Sequence, residues 1–452
     1  MAKIQHIDRL YQLLMRGPAR TSTILDELET SQPTFSRLWA TVKDGFVLGA
    51  SKARQYALRR RVAGVDTPIP VFRISEEGQV EPVGQLHPLQ GEFYALTPLE
   101  GTAYQIFEGM PFFLSDLRPQ GFLGRVEPSK HRDLDLPSDI LKWTDEHVLK
   151  YISRRSEHAP GNLLLGNESY ARYIADMMSA RESTMREIDR AAHYPKMAEH
   201  SMQGEPPGSS AGGEQPKFTA TIERNGENAV IEHVIVKFSP QVATPSGRRW
   251  GDLLICEHLA LEVLSRNQIA AAKTSILETG GRVFLEVVRF DRVGLKGRRP
   301  MATFSALDGD LGMLDQSWTV VARELGRRGE LSPKDVQTVE ILDLYGTLIG
   351  NTDKHHGNIA VAWSFDRRHQ LLAAYDMLPM LYRPNTHGEI VEREWLPNLG
   401  TRLELRHLPF CYDMANQFWT DVLNDPRISA EFKQEVASRH ANTMRALDIQ
   451  KS

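Results

Sequence analysis

The chain has 452 residues, 41% hydrophobic and 25% charged, ordinary globular material for two to four folding units. Its two cysteines, Cys256 and Cys411, exclude a disulfide framework or a cysteine metal cage and agree with a reducing compartment. The net charge of −4 is uneven: residues 1–61 hold eleven Lys/Arg against five Asp/Glu, hence +6, leaving −10 for the rest, so a polyanionic partner is expected for the head and not for the body.

Residues 1–17 show neither the apolar core nor the small-residue cleavage site of a signal peptide, and no stretch of about 18 uninterrupted apolar residues occurs, so a soluble, cytoplasmic protein without membrane contact is expected. In the head, Ile4, Ile7, Leu10, Leu13 and Leu14 have the spacing of an amphipathic helix that Gly17-Pro18 ends. Thr21 or Ser22 caps a second helix through Leu28, and Thr30-Ser31-Gln32-Pro33 opens a third that runs to about Val42. Two strands, Phe46–Gly49 and Gln55–Leu58, flank the basic turn Ser51–Arg54. Three short helices and a hairpin predict a winged helix-turn-helix over 1–62. Thr34, Ser36, Arg37 and Thr41 would then face the major groove, and Lys52 and Arg54 in the wing would meet phosphates. The competing reading is a small helical docking module with a solvated basic face.

Pro-rich punctuation around short β-like runs such as Val71–Ile74 predicts a small β-containing subdomain, and the texture turns helical over 135–200, with Arg172–Met197 the longest candidate. Residues 201–216 are rich in Gly, Ser and Pro, the composition of a flexible linker.

Four elements downstream carry chemistry when taken together. Ser210-Ala211-Gly212-Gly213-Glu214-Gln215-Pro216-Lys217 leads into a strand, and its glycines would let backbone N–H groups approach phosphate oxygens, with Lys217 adding a charge. Val234-Ile235-Val236-Lys237 ends a β-branched run in a lysine, and twenty residues on Glu257 lies in the helical pattern Asp252–Leu264, the Lys/Glu pair that kinases use to hold phosphates. In Gly350-Asn351-Thr352-Asp353-Lys354-His355-His356-Gly357-Asn358 a polar loop follows a hydrophobic helix with the Asp-x4-Asn spacing of a kinase catalytic loop, and Lys354 is read as reaching the transferring phosphoryl. Finally Leu371–Ala374 is an apolar strand delivering Asp376 into a turn, the place of a second magnesium carboxylate. Each element alone has a bland reading, as linker, solvated lysine or turn former; their order along the chain is what predicts phosphoryl transfer. His355 and His356 leave open a metal-dependent hydrolase, for which no second His/Asp cluster is found.

The motifs at 210–217, 350–358 and Tyr375-Asp376-Met377-Leu378-Pro379, with Val288-Arg289-Phe290-Asp291-Arg292 and Gly109–Phe113, resemble the HipA family of bacterial serine/threonine kinase toxins. The head resembles that of its YjjJ-like branch. The resemblance implies an α/β (α+β) chain: the winged head over 1–62, a family N-terminal subdomain over 66–135, a kinase N-lobe over 136–285 and a largely helical C-lobe over 286–452. It makes Asp353 the catalytic residue, and Asn358 and Asp376 the magnesium ligands. Ala211, Gly212, Gly213, Gln215, Lys217, Lys237, Glu257, His355 and Tyr375 would lie at ATP, with Val288 to Phe290 as the adenine hinge. Val288 stands where the family often has Glu, which keeps a backbone hinge contact and loses a side-chain one. Ser209 or Ser210 would be an autophosphorylation site, or else plain turn residues. The implied activity is that of an ATP- and magnesium-dependent serine/threonine protein kinase and growth-inhibiting toxin of toxin–antitoxin type. Its partners would be a protein substrate, DNA through residues 1–62 and a small DNA-binding antitoxin. The alternatives are a transcriptional regulator whose kinase-like body only senses nucleotide, and a small-molecule phosphotransferase.

Overall fold

The computed structural model describes residues 2–99, 104–202, 215–225, 230–365, 368–395, 397 and 405–449, and none of its helices is long and apolar enough to cross a membrane. The chain is mixed α/β and divides into two compact units, residues 1–118 with 131–178, and residues 119–130 with 179–452.

In the first unit, α1 (Ala2–Leu14), β1 (Ala19–Arg20), α2 (Thr21–Leu28) and α3 (Gln32–Trp39) precede a hairpin of β2 (Gly45–Leu48) and β3 (Gln55–Leu58). The strands form an antiparallel sheet in the order β1-β3-β2. Leu10, Leu14, Ile24, Leu28, Phe35, Leu38 and Tyr56 make the core between helices and sheet, so the apolar stripe of α1 faces inward as its spacing requires. The third helix stops at Trp39 rather than Val42, because the Thr41 hydroxyl and N–H both turn back to the Leu38 carbonyl (2.7 and 3.0 Å) in place of a further helical bond.

The middle sheet is built from β4 (Ile69–Ile74), β5 (Val80–Pro88), β6 (Phe93–Pro98), β7 (Gln105–Glu108) and β8 (Leu163–Leu165), in the order β7-β6-β5-β4-β8. Residues 136–178, expected with the N-lobe, belong to this unit: β8 pairs with β4, Val71 opposite Leu165, and the helix Asn167–Ser179 packs Tyr173 onto Ile74 and Leu164. The head is not a tethered module. Leu48 and Ala57 share a core cluster with Leu89 and Ala95 of the middle sheet, and Gln90 N–H donates to Leu58 O (2.9 Å) while Arg60 N–H donates to Pro88 O (2.9 Å). Arg60 further pairs with Glu146 and donates to the Tyr94 hydroxyl (3.0 Å).

In the second unit β9 (Met185–Arg186) falls in sequence between the helices Asn167–Ser179 and Arg190–Met202 and interrupts the single long helix expected over 172–197. Its parallel pairing with β10 (Lys217–Arg224) is a non-local contact that the helical texture conceals. With β11 (Val230–Phe238), β12 (Thr274–Thr279) and β13 (Arg282–Val288) these form a sheet in the order β12-β13-β11-β10-β9, which puts β11 at its centre. The helix Pro245–Arg266 packs on this sheet, opened by Thr244, whose hydroxyl accepts from Gly247 N–H, and by Pro245 at its first turn. The helices Trp318–Arg327, Pro333–Ile349 and Leu408–Asn424 pack in sequence, and Pro333–Ile349 is buried over most of its circumference.

Candidate active site

Two elements bring the chemistry together, the end of β11 and the loop after the buried helix Pro333–Ile349. The helix ends at Gly350 with φ of 83°, a left-handed conformation that glycine adopts without strain. Four carbonyls at its end have donors: Gly346 O takes Asn351 N–H, Thr347 O takes Trp395 Nε1 (3.1 Å), Leu348 O takes His440 Nε2 (2.7 Å) and Gly350 O takes Leu381 N–H. A carbonyl only accepts, so His440 carries its proton on Nε2 and takes the Tyr382 hydroxyl on Nδ1 (2.8 Å). Its ring also stacks between Trp395 and Trp419.

Burial pushes the His440 imidazole from 6.5 down to about 3, against the smaller opposing effect of its bond to Leu348. The folded chain therefore binds this proton less readily than the unfolded one, and stability is lost as pH falls below 6.5. The expected cost of this residue alone is about 1.4 kcal/mol per pH unit, continuing toward pH 3. Thermal melting between pH 7 and 5 should show it, and His440→Gln should flatten that slope while lowering the melting temperature at pH 7.

Lys237 ends its run in β11 with a side chain only 6% exposed, and its ammonium donates to both oxygens of the fully buried Glu257 (2.6 and 2.7 Å) and to Asp376 Oδ1. The β10–β11 register sets Lys217 directly opposite Lys237. Burial works against the Lys237 ammonium, but Asp376 and then Glu257 outweigh it and hold the group well above the ordinary lysine value. Burial likewise disfavours the Asp376 carboxylate and is overcome by Lys237 and then Lys217, which hold its pKa below the usual range. For Glu257 burial prevails over Lys237, and its pKa is raised.

Asp376 is set by Ala374, whose N–H and carbonyl bond to Ala270 O and Ala272 N–H, and it has φ of 53°, a left-handed backbone that Asp tolerates better than most residues. Asn351 joins this turn to the catalytic-type loop: its Oδ1 accepts from Asp353 N–H (2.9 Å), and its Nδ2 lies 3.4 Å from Asp376 O. Asn358 Nδ2 donates to Asp353 O (2.8 Å), Tyr375 hydroxyl to Gly357 O (2.8 Å) and Gly357 N–H to His355 Nδ1 (3.0 Å). Lys237, Glu257 and Asp376 are thus in direct contact, and Asn351 links them to Asp353 and Asn358. The motif alone gives Asn351 no role, although an Asn side chain often accepts from the N–H two residues on, which here is that of Asp353.

Other expectations change. Lys354, expected at the transferring phosphoryl, has its ammonium engaged within the fold: it donates to Asp343 O (2.8 Å), Asp343 Oδ1 (2.6 Å) and Thr347 Oγ1 (2.6 Å). The N–H groups of Val288 and Arg289 donate to Lys273 O and His233 O, so a hinge contact through either N–H is already occupied. The Phe290 and Tyr375 rings lie 5.6 Å apart. Gln215 and Lys217 stand at the entry to β10, whereas Ser209, Ser210, Ala211, Gly212 and Gly213 lie outside the described residues, as does the side chain of Lys52. In the head, Thr34, Ser36, Arg37, Thr41 and Arg54 are exposed, while Phe35 and Leu38 are buried. Among the described residues no group of three or more His, Cys, Asp or Glu is arranged to hold a metal.

The family described as YjjJ-like toxin, middle domain, matches residues 65–174, and the HipA-like C-terminal domain family matches residues 209–444. Toxin YjjJ of Escherichia coli (strain K12) is 35% identical over 433 residues, covering 94% of this chain and 95% of that protein. A chain of the Shewanella oneidensis toxin–antitoxin complex of HipA, HipB and operator DNA is similar with a TM-score of 0.43 at 12% identity, over 83% of this chain and 96% of its own. The Helicobacter pylori proinflammatory kinase CtkA is similar with a TM-score of 0.32 at 14% identity, over 52% of this chain and 93% of its own. By its two domain matches and its full-length relative, the chain belongs to the HipA-like family, in its YjjJ-like toxin branch.

Proposed function

We propose that this chain is an ATP- and magnesium-dependent serine/threonine protein kinase that arrests growth as a toxin, with a DNA-binding head. The observation that carries the reading is the contact of Lys237 with both Glu257 and Asp376, joined through Asn351 to the loop of Asp353 and Asn358. Lys237, fixed by Glu257, supplies the positive charge for the α- and β-phosphates, and Asp353 orients the acceptor hydroxyl and takes its proton. The carboxylate of Asp376 and the amide oxygen of Asn358, whose Nδ2 is already given to Asp353, are the hard oxygen donors that magnesium takes. A magnesium ion held there would supply charge neutralisation at the phosphates. The toxin reading draws on the E. coli relative. Its test is expression in growing cells: the wild-type chain should halt growth and Asp353→Asn should not, and equal arrest by both contradicts it.

For the head, the three helices and antiparallel hairpin with an exposed polar face on α3 support a winged helix-turn-helix. Arg37→Ala and Arg54→Ala are each expected to lower the slope of log affinity against log salt by about one for DNA binding by the full-length chain, and unchanged slopes contradict phosphate contact by these residues. A small DNA-binding antitoxin and a protein bearing the acceptor Ser or Thr are the other partners this reading implies.

A further inference from the structure

Lys354 is adjacent to Asp353 in sequence, and its ammonium is bound by the buried helix Pro333–Ile349. An ammonium has three N–H donors, and Asp343 O, Asp343 Oδ1 and Thr347 Oγ1 accept all three, at 2.8, 2.6 and 2.6 Å. The Lys354 side chain is 20% exposed and that of Asp343 6%. Its stem crosses the helix at Gly346, where an added Cβ would stand 3.0 Å from Lys354 Cδ and 3.3 Å from Met377 Sδ. Asp343 is held from its other side: Oδ2 accepts from the Thr319 hydroxyl (2.8 Å) and lies 3.3 Å from Thr319 N, in the first turn of the helix Trp318–Arg327, where a carboxylate is favoured by the helix dipole. The start of that helix and the segment before it meet the loop twice more, through Trp318 Nε1 to His355 O (3.0 Å) and His356 Nε2 to Gln316 O (2.9 Å).

We propose that Thr319, Asp343 and Lys354 form a relay of positioning residues that fixes the backbone on which Asp353 sits, and that Lys354 takes no part in contacting the transferred phosphoryl group. The proposal rests on the kinase reading above. A loop clamped at residues 354, 355 and 356 keeps the adjacent carboxylate within the small tolerance that in-line transfer permits, and a displacement of about 1 Å costs on the order of a hundredfold in rate.

The test measures kcat and KM for ATP, with thermal melting and nucleotide affinity as folding controls, in wild type, Lys354→Met, Lys354→Arg, Asp343→Asn and Thr319→Val. Lys354→Met should lower kcat by about tenfold to a hundredfold with KM for ATP within about twofold, and Lys354→Arg, which still reaches Asp343, should retain most of the rate. Thr319→Val touches neither loop nor nucleotide and should lower kcat several-fold in the same pattern, so it carries the test if Asp343→Asn does not fold. The double variant Lys354→Met/Asp343→Asn should be no slower than the worse single one. A loss of rate in Lys354→Met with Asp343→Asn and Thr319→Val unaffected would overturn the relay in favour of direct phosphoryl contact. An unaltered kcat in Lys354→Met would overturn it outright. Absence of transfer by the folded wild-type chain would instead remove the kinase reading itself.

Discussion

Asp353→Asn is expected to lower phosphoryl transfer by about a thousandfold while leaving ATP affinity within about twofold. The substitution changes one atom type and keeps the shape, so the backbone clamp of Asp353, by Asn351 on its N–H and Asn358 on its carbonyl, is retained. Among the described residues the Asp353 carboxylate takes no hydrogen bond, which leaves it open to an acceptor hydroxyl. An amide in its place still orients that hydroxyl poorly and accepts no proton at neutral pH, and general-base groups contribute roughly a hundredfold to ten-thousandfold. Single-turnover transfer measured beside equilibrium nucleotide binding separates the two effects. Equal loss of binding and rate contradicts the assignment of Asp353 to the chemical step.

Asp376→Ala should abolish detectable transfer and also weaken nucleotide binding, by a factor of about ten or more, in magnesium but not in a chelator. Removing Asp376 leaves Lys237 paired with Glu257, so the phosphate-binding cation stays in place and metal-free nucleotide loses little. The position has φ of 53°, where alanine is strained by about 1 kcal/mol and asparagine is not, so Asp376→Asn is the control that separates lost charge from a distorted turn. Titration of ATP with and without magnesium reads the difference. Equal magnesium-dependent affinity in wild type and Asp376→Ala contradicts its role as a metal ligand.

The parts of the site that depend on local pattern were legible in the sequence. A β-branched run ending in Lys237, a helical pattern carrying Glu257 and a hydrophobic helix stopped at Gly350 each follow from periodicity and capping, and the structure joins Lys237 to Glu257. The orientation of α3 was legible for the same reason, since Phe35 and Leu38 fall on one face. What escaped depends on contacts distant in sequence. β8 was unseen because Leu163–Leu165 becomes a strand only by pairing with Val71–Arg73, and β9 divides the expected long helix only by pairing with β10. The anchoring of Lys354 is not legible because its acceptors lie seven and eleven positions back, on a helix whose buried polar face a charged loop sequence does not reveal. The engaged Val288 N–H was hidden likewise, its acceptor being Lys273 on a neighbouring segment. The head's attachment to the middle sheet rests on Leu48 and Ala57 meeting Leu89 and Ala95, ordinary apolar residues that announce no partner.

The central claim is phosphoryl transfer from ATP, and the most direct measurement incubates the purified full-length chain with γ-labelled ATP and magnesium, alone and with a soluble cell extract, beside Asp353→Ala. The account predicts label on the chain or on a specific extract protein, released as phosphoserine or phosphothreonine and lost in Asp353→Ala. ATP binding without label anywhere, or label that persists in Asp353→Ala, contradicts it.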